Sequence, residues 1–232
     1  MNDGLWVYLS TSPLLWLAGT LAIWQISLRV CDLRPANPLL NPVMMSVCLM
    51  VGILQIASID YTTYFEGAQF IHFLLGPATV ALGIPLYRQL SLVKANLFPI
   101  LCASVIGSVT AVSSTIFLSQ LFGFDQTVIA SLAPKSTTAA VAMAISSGSN
   151  GDPALTAAVV IITGICGAII VTPLMNALKI RDYSARGFAV GLSSHGIGTA
   201  RAYSVDPIAG LFSGIAMGLN AILTSLIVPL LL

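Results

Sequence analysis

Apolar residues fall in long stretches along this chain, and five have the length of a membrane-crossing helix: 5–28, 39–57, 97–121, 154–178 and 207–231. A bilayer core about 30 Å thick needs roughly 20 apolar residues in helical form. The second stretch is a little short of that. Three further apolar segments carry an irregularity at their centre. Segment 68–88 breaks at Gly76-Pro77, segment 127–147 at Ala133-Pro134-Lys135, and segment 186–204 across Ser193-Ser194-His195-Gly196-Ile197-Gly198. The pattern predicts an all-α, polytopic transmembrane helical bundle with discontinuous, broken or re-entrant helices.

The breaks recur at intervals of 57 and 62 residues, and each is followed by an uninterrupted span. Gly-Pro-Ala-Thr at 76–79 also resembles Ala-Pro-Lys-Ser-Thr at 133–137. Such periodicity predicts internal repeats of a broken helix plus a span. No linker or low-complexity tract interrupts the chain. The expectation is one membrane domain over 1–232, with an N-terminal half at 5–121 and a C-terminal half at 127–232. Asp3 stands where a signal peptide would be basic, so the first span is expected to be retained.

Composition sharpens the membrane reading. The chain is 57% hydrophobic and 7% charged, against roughly 25% charged in an ordinary soluble domain. Nine Lys/Arg and eight Asp/Glu cannot cover a soluble surface of this size. The net charge of +1 gives no bias toward nucleic acid. Cys31, Cys48, Cys102 and Cys166 stand singly, as small apolar residues do, without metal-ligand spacing. No metal, cofactor or catalytic residue is expected. Enzyme signatures such as GxSxG, HExxH, a Walker loop or a dinucleotide fingerprint are missing, which predicts a non-enzymatic protein without an ATP site.

Basic residues orient the spans. Arg29/Arg34, Arg88/Lys94 and Lys179/Arg181/Arg186 mark three cytoplasmic loops, and the loops with Asp60/Glu66, Asp125 and Asp152 should face outward. Segment 127–147 then enters and leaves on the outer side as a re-entrant element. For 186–204, crossing and re-entry both remain open.

A broken helix exposes backbone groups that hydrocarbon cannot satisfy, so it sits against protein or a watery cavity. Its half-helix N-terminus offers N–H groups and partial positive charge to an anion. Lys135 opens the half-helix from Lys135 to Ala140, and Arg201 follows Gly198-Thr199-Ala200. A buried cation costs about 2.5–3.5 kcal/mol at a helix centre, so it faces a cavity or partner. With the hydroxyls of Ser136, Thr137, Thr138, Ser194 and Thr199, these cations describe a site for a small organic anion such as a carboxylate. His195 enters the set as ligand, proton carrier or backbone-bonding residue. Gly196 and Gly198 serve close ligand approach or close helix packing. Plainer readings stand beside these: Lys135 snorkelling to an interface, Arg201 bonding free carbonyls or pairing with Asp206, and His72 lying at an interface.

The stretches Asn37-Pro38-Leu39-Leu40-Asn41-Pro42, Ala81-Leu82-Gly83-Ile84-Pro85-Leu86-Tyr87, Leu132-Ala133-Pro134-Lys135-Ser136-Thr137-Thr138 and Ser193-Ser194-His195-Gly196-Ile197-Gly198-Thr199-Ala200-Arg201 carry a resemblance. In them the chain resembles the LrgB/CidB family of bacterial membrane proteins, particularly its YohK-type branch. The resemblance implies one LrgB-type domain in a bacterial inner membrane. It also implies an LrgA/CidA-type four-span partner in an oligomeric assembly. Two functions follow from it. One is transport of small monocarboxylates of the glycolate, glycerate, pyruvate or lactate kind, since a plant chloroplast relative is a glycolate/glycerate carrier and bacterial relatives are linked to uptake of pyruvate or similar acids. The other is a holin- or antiholin-like role in controlling murein hydrolases and autolysis.

Overall fold

A computed structural model describes residues 12–33, 42–74, 77, 80, 81 and 83–232. The described part is all-α. The chain divides into two compact units, Met1–Ile84 and Pro85–Leu232.

In the first unit, α1 (Pro13–Asp32), α2 (Pro42–Ala57) and α3 (Tyr61–Phe73) pack around Trp16, Ile23 and Met50. Pro13 and Pro42 each stand at the first helical position, where no amide partner is needed. A side chain at Gly67 would strike the Pro13 carbonyl and Trp16, so glycine sets how closely α3 approaches α1. His72 is exposed in the last turn of α3, its ring 5.9 Å from that of Phe65. The break expected at Gly76-Pro77 lies outside the described residues apart from Pro77. So does the Asn37–Asn41 stretch.

The second unit follows α4 (Gly83–Arg88) and α5 (Leu90–Ala95) with α6 (Leu97–Leu121), α7 (Gln126–Leu132), α8 (Ala139–Gly148), α9 (Pro153–Ala177), α10 (Tyr183–Val205) and α11 (Pro207–Leu231). Among the described residues four helices are long and apolar enough to cross a membrane: α1, α6, α9 and α11. At 25 residues each, the last three reach about 37 Å. Burial runs opposite to that of a soluble protein. Ile106 and Leu230 are 67% and 83% exposed, whereas Ser108, Asn220 and Thr224 are fully buried. Polar groups inside and apolar groups outside suit hydrocarbon as the solvent.

Both broken segments of this unit double back. In the first hairpin, Ser131 at the end of α7 meets the other arm across the break. Thr156 Oγ1 lies 3.0 Å from Ser131 O and 2.7 Å from Ser146 Oγ, tying both arms to α9. In the second, α10 is helical on either side of His195, whose φ of 42° and ψ of −134° reverse the chain. A side chain at Gly198 would strike Val190. Eight residues apart in a straight helix, the two would be separated by about 12 Å. Gly187 and Gly191 abut Ala209 and Ser213, numbers rising together. Thr199 then meets Ser213, and Tyr203 meets Gly210, numbers running against each other. Segment 186–204 therefore re-enters.

The two hairpins open at opposite ends of the unit. α6 and α11 run parallel, because Ser108 donates to Asn220 Oδ1 at 2.7 Å and Ile116 clusters with Val228. Ile129 and Ala133 of the first hairpin join the Val228 end. Phe188 of the second joins Ile100 and Leu211 at the other. Each hairpin and each following span starts on an aspartate N-cap. Asp125 accepts from the Val128 amide and Asp182 from those of Ser184 and Ala185. Asp152-Pro153 and Asp206-Pro207 cap and open α9 and α11 in the same way. The internal repeat is thus a capped hairpin plus a capped span, used twice with opposite direction.

Candidate functional site at the meeting of two hairpins

The tips converge on Asn220, near the middle of α11. Its Nδ2 donates to Ser136 O at 3.1 Å on the first tip and to Leu192 O at 3.0 Å just before the second. Its Oδ1 accepts from Ser108 at 2.7 Å and Thr224 at 3.2 Å. One fully buried amide thus serves carbonyls freed where helices break, a need that hydrocarbon could not meet. Among these partners, only Ser136 figured in the sequence-based candidate set.

On the first tip, Lys135 is half-buried and its Nζ bonds Thr115 Oγ1 of α6. Ser136 is buried, with its hydroxyl 3.4 Å from Asn220 Nδ2. Thr137 is fully buried, and its hydroxyl has no hydrogen-bond partner among the described residues. Thr138 is the N-cap of α8 but makes no side-chain cap bond. The first N–H groups of α8 thus lack the usual capping oxygen. The tip thus carries a buried hydroxyl, helix-start amides and a cation, all groups able to donate to an oxygen-bearing anion.

On the second tip, His195 is buried, and its Nε2 donates to Val160 O at 2.9 Å. Only a donor suits that carbonyl, so the proton of the neutral ring sits on Nε2 and Nδ1 keeps a lone pair. Gly164 and Gly167 of α9 make room for His195 and Ser194, whose side chains a Cβ at either position would strike. Ser194 is fully buried, its hydroxyl 3.2 Å from that of Ser193. Thr199 Oγ1 lies 2.8 Å from His195 O and 2.9 Å from Ser213 Oγ, bracing the reversal. Gly198 packs against Ser194 and Val190, so close helix packing accounts for it. Around Gly196 the space is open, with Met217 Sδ at 4.0 Å.

Arg201 does not join Lys135. It lies on the return arm of α10 at the hairpin's open end, lining a cavity with Tyr183 and Arg186, and its bond is to Ser204 Oγ at 3.5 Å. Lys135 instead reaches toward the other end of α6. The structure therefore brings Ser136 of the first tip and Leu192, just before the second, to Asn220, sets Ser194 and His195 against α9, and keeps the two expected cations apart. The reason is geometric: Lys135 lies in the turn of the first hairpin, whereas Arg201 lies six residues past the reversal of the second, back toward its open end. Asn220 was missed because a lone amide in an apolar span announces nothing about its partners. Its being the one Asn or Gln within 207–231 was the available signal.

Comparison with known proteins gives a consistent picture. The LrgB-like family matches residues 20–232. The chain is 35% identical over 193 residues to the Bacillus subtilis protein YxaC, covering 83% of this chain and 84% of that one. It is 33% identical over 220 residues to the holin-like protein CidB of Staphylococcus aureus, covering 94% and 95%. The Staphylococcus epidermidis protein of the same name is 30% identical over 213 residues, covering 92% and 93%. No solved structure matches.

Proposed function

We propose that this chain, which belongs to the LrgB-like family over residues 20–232, is a non-enzymatic carrier of small monocarboxylates of the glycolate, glycerate, pyruvate or lactate kind. It is a multi-pass membrane protein, and we place it in the bacterial inner membrane beside an LrgA/CidA-type four-span partner. The observation that carries the carrier reading is the opposed pair of hairpins held at one buried amide, Asn220. Such an element, reachable from either end, suits a site exposed alternately to the two sides of a membrane. The carboxylate would lie against the first turn of α8, with Thr137 Oγ1 and Lys135 as donors and Ser136, Thr138, Ser194, His195, Gly196 and Thr199 as walls. His195 Nδ1 would accept a proton or a hydroxyl of the substrate. Charge-assisted donors of this kind hold a carboxylate about twice as strongly as neutral ones.

A second reading is favoured by the name of two relatives, holin-like protein CidB. In it the chain acts in membrane permeability and the control of murein hydrolases. Uptake of radiolabelled glycolate, lactate and pyruvate into proteoliposomes, with and without the partner, separates the two. A carrier gives saturable uptake that Lys135→Ala lowers at least tenfold. Nonspecific, unsaturable flux indifferent to Lys135 would sink the carrier reading and favour the holin-like one.

A further inference from the structure

We propose that the open end of the second hairpin is an anion site of its own, in which Arg186 and Arg201 hold the oxyanion head of an amphipathic ligand. Both arginines line one cavity of about 30 Å³ between the arms of α10 and the far part of α9. Arg186 belongs to the outgoing arm and Arg201 to the returning one, so the reversal at His195 brings them together.

Charge is the reason to expect a ligand. No Asp or Glu lines the cavity. Among the described residues, the polar partners of Arg186 are Ile180 O at 2.7 Å and Asn176 Oδ1 at 2.5 Å, and that of Arg201 is Ser204 Oγ at 3.5 Å. All three are neutral. Both arginines belong to the wall of one space that no carboxylate shares, and their neutral carbonyl, amide and hydroxyl partners leave the two like charges unopposed there. An anion bound there opposes both, and arginine's planar fork is matched to carboxylate and phosphate oxygens. The two side chains differ in how they are held. Arg186 is fixed by two short bonds and by the Tyr183 ring, 6.0 Å from its Cζ, whereas Arg201 has one long bond and is free to close on a ligand.

Size and wall chemistry narrow the ligand. About 30 Å³ holds roughly two waters, which is the room needed by the oxygens of a head group and not by a whole metabolite. Val171, Val190 and Val205 complete the wall, so whatever is attached to the head meets apolar surface. The shared chemistry is that of a phosphodiester of a membrane lipid or of a free carboxylate or phosphate. Basic pockets between membrane helices are known to hold anionic head groups. The site is distinct from the hairpin tips and does not rest on the carrier reading.

The test uses the purified full chain in a neutral maltoside detergent, with thermal unfolding followed by intrinsic fluorescence. The probes are phosphatidylglycerol, diacylglycerol as the same lipid without its phosphate, sodium pyruvate and inorganic phosphate. At a hundredfold excess over Kd, a binding probe should raise Tm by about 5 °C. Arg201→Gln should remove most of that shift, and Lys94→Gln, at an exposed cation outside the cavity, should keep it. A shift with phosphatidylglycerol but not diacylglycerol identifies the lipid source, and one with pyruvate or phosphate that Arg201→Gln removes identifies a soluble one. No shift with any anionic probe, or an equal shift with diacylglycerol, overturns the proposal. So does an undiminished shift in Arg201→Gln or, should that variant fail to fold, in Arg201→Lys, which keeps the charge but not the fork.

Discussion

The two hairpins of the second unit do the same thing by different means. The first turns through an open stretch, Ala133–Thr138, with Pro134 inside it, and is tied down by side-chain hydrogen bonds: the Thr156 hydroxyl to both arms and the Asn220 amide to the Ser136 carbonyl. The second turns on a single residue, His195, at a positive φ that a non-glycine residue adopts only at a cost. Glycine packing holds it, with Gly187 and Gly191 against α11 and Gly164 and Gly167 making room on α9. A wide break leaves amides and a hydroxyl without partners among the described residues, as at Thr137 and the start of α8. A tight break finds partners close by for its polar groups, as His195 does in Val160 of α9 and Thr199 in the His195 carbonyl and Ser213. The first tip therefore keeps donors open, and the second is the more strained and more closely fitted part.

If the contrast is right, crowding should harm the second hairpin far more than the first. Gly191→Val would drive a side chain into the Ser213 carbonyl, backbone that cannot step aside. It should abolish the monodisperse peak in detergent gel filtration. Ala140→Val on the exposed face of α8 should change stability by no more than about 0.5 kcal/mol. Equal tolerance of both would refute the packing account.

Next in size is the shared latch. Asn220→Leu strands the Ser136 and Leu192 carbonyls and the Ser108 hydroxyl together, which should cost about 2–3 kcal/mol in thermal or chemical unfolding. A loss confined to one hairpin's protection in hydrogen exchange would show that the tips are not coupled through this residue.

Smaller effects separate strain from binding. Replacing His195 by glycine relieves about 1–3 kcal/mol of backbone strain while losing the bond to Val160, so net stability should move by about 1 kcal/mol or less. Uptake should nonetheless fall. Thr137→Val deletes a hydroxyl that has no partner among the described residues, so the folded protein should be unharmed or stabilised by up to about 1 kcal/mol while the apparent KM for carboxylate rises. A marked loss of stability in Thr137→Val would mean that the hydroxyl serves the fold and not a ligand.

The smallest effect concerns the cap of the second hairpin. The Ser184 hydroxyl and the Ala185 and Ser184 amides hold the Asp182 carboxyl below its usual range. Its contribution is complete above about pH 5, where an unfolded aspartate is already ionised, and is lost as pH falls through the depressed folded value. Solvent screening at this exposed site keeps it to a fraction of a kcal/mol. Asp182→Asn should flatten the fall of Tm below about pH 5 slightly, and an unchanged acid limb would remove the cap from the account.

Much of this was written in one dimension. Spans expected at 97–121, 154–178 and 207–231 are helices at Leu97–Leu121, Pro153–Ala177 and Pro207–Leu231. The first, expected at 5–28, is a helix over Pro13–Asp32, with residues 5–11 outside the described part. The break at Ala133-Pro134-Lys135 falls where the proline placed it, and the one within Ser193–Gly198 narrows to His195. These features depend on local quantities: apolar run length against bilayer thickness, and a missing amide or a forced φ in the helix ladder.

Tertiary structure decided what depends on distance between remote residues. Re-entry of α10 became clear only from Gly187, Gly191, Thr199 and Tyr203 meeting α11 in parallel and then antiparallel order. The separation of Lys135 from Arg201 follows from Lys135 lying in the turn of one hairpin and Arg201 back toward the open end of the other. The role of Asn220 exists only because tips more than fifty residues apart in sequence, at Ser136 and Leu192, reach one amide. Hydrophobicity tells each segment which solvent it needs. Which polar groups must meet once that solvent excludes water is settled only by the packed arrangement, since each freed backbone group takes whatever partner the fold brings within reach.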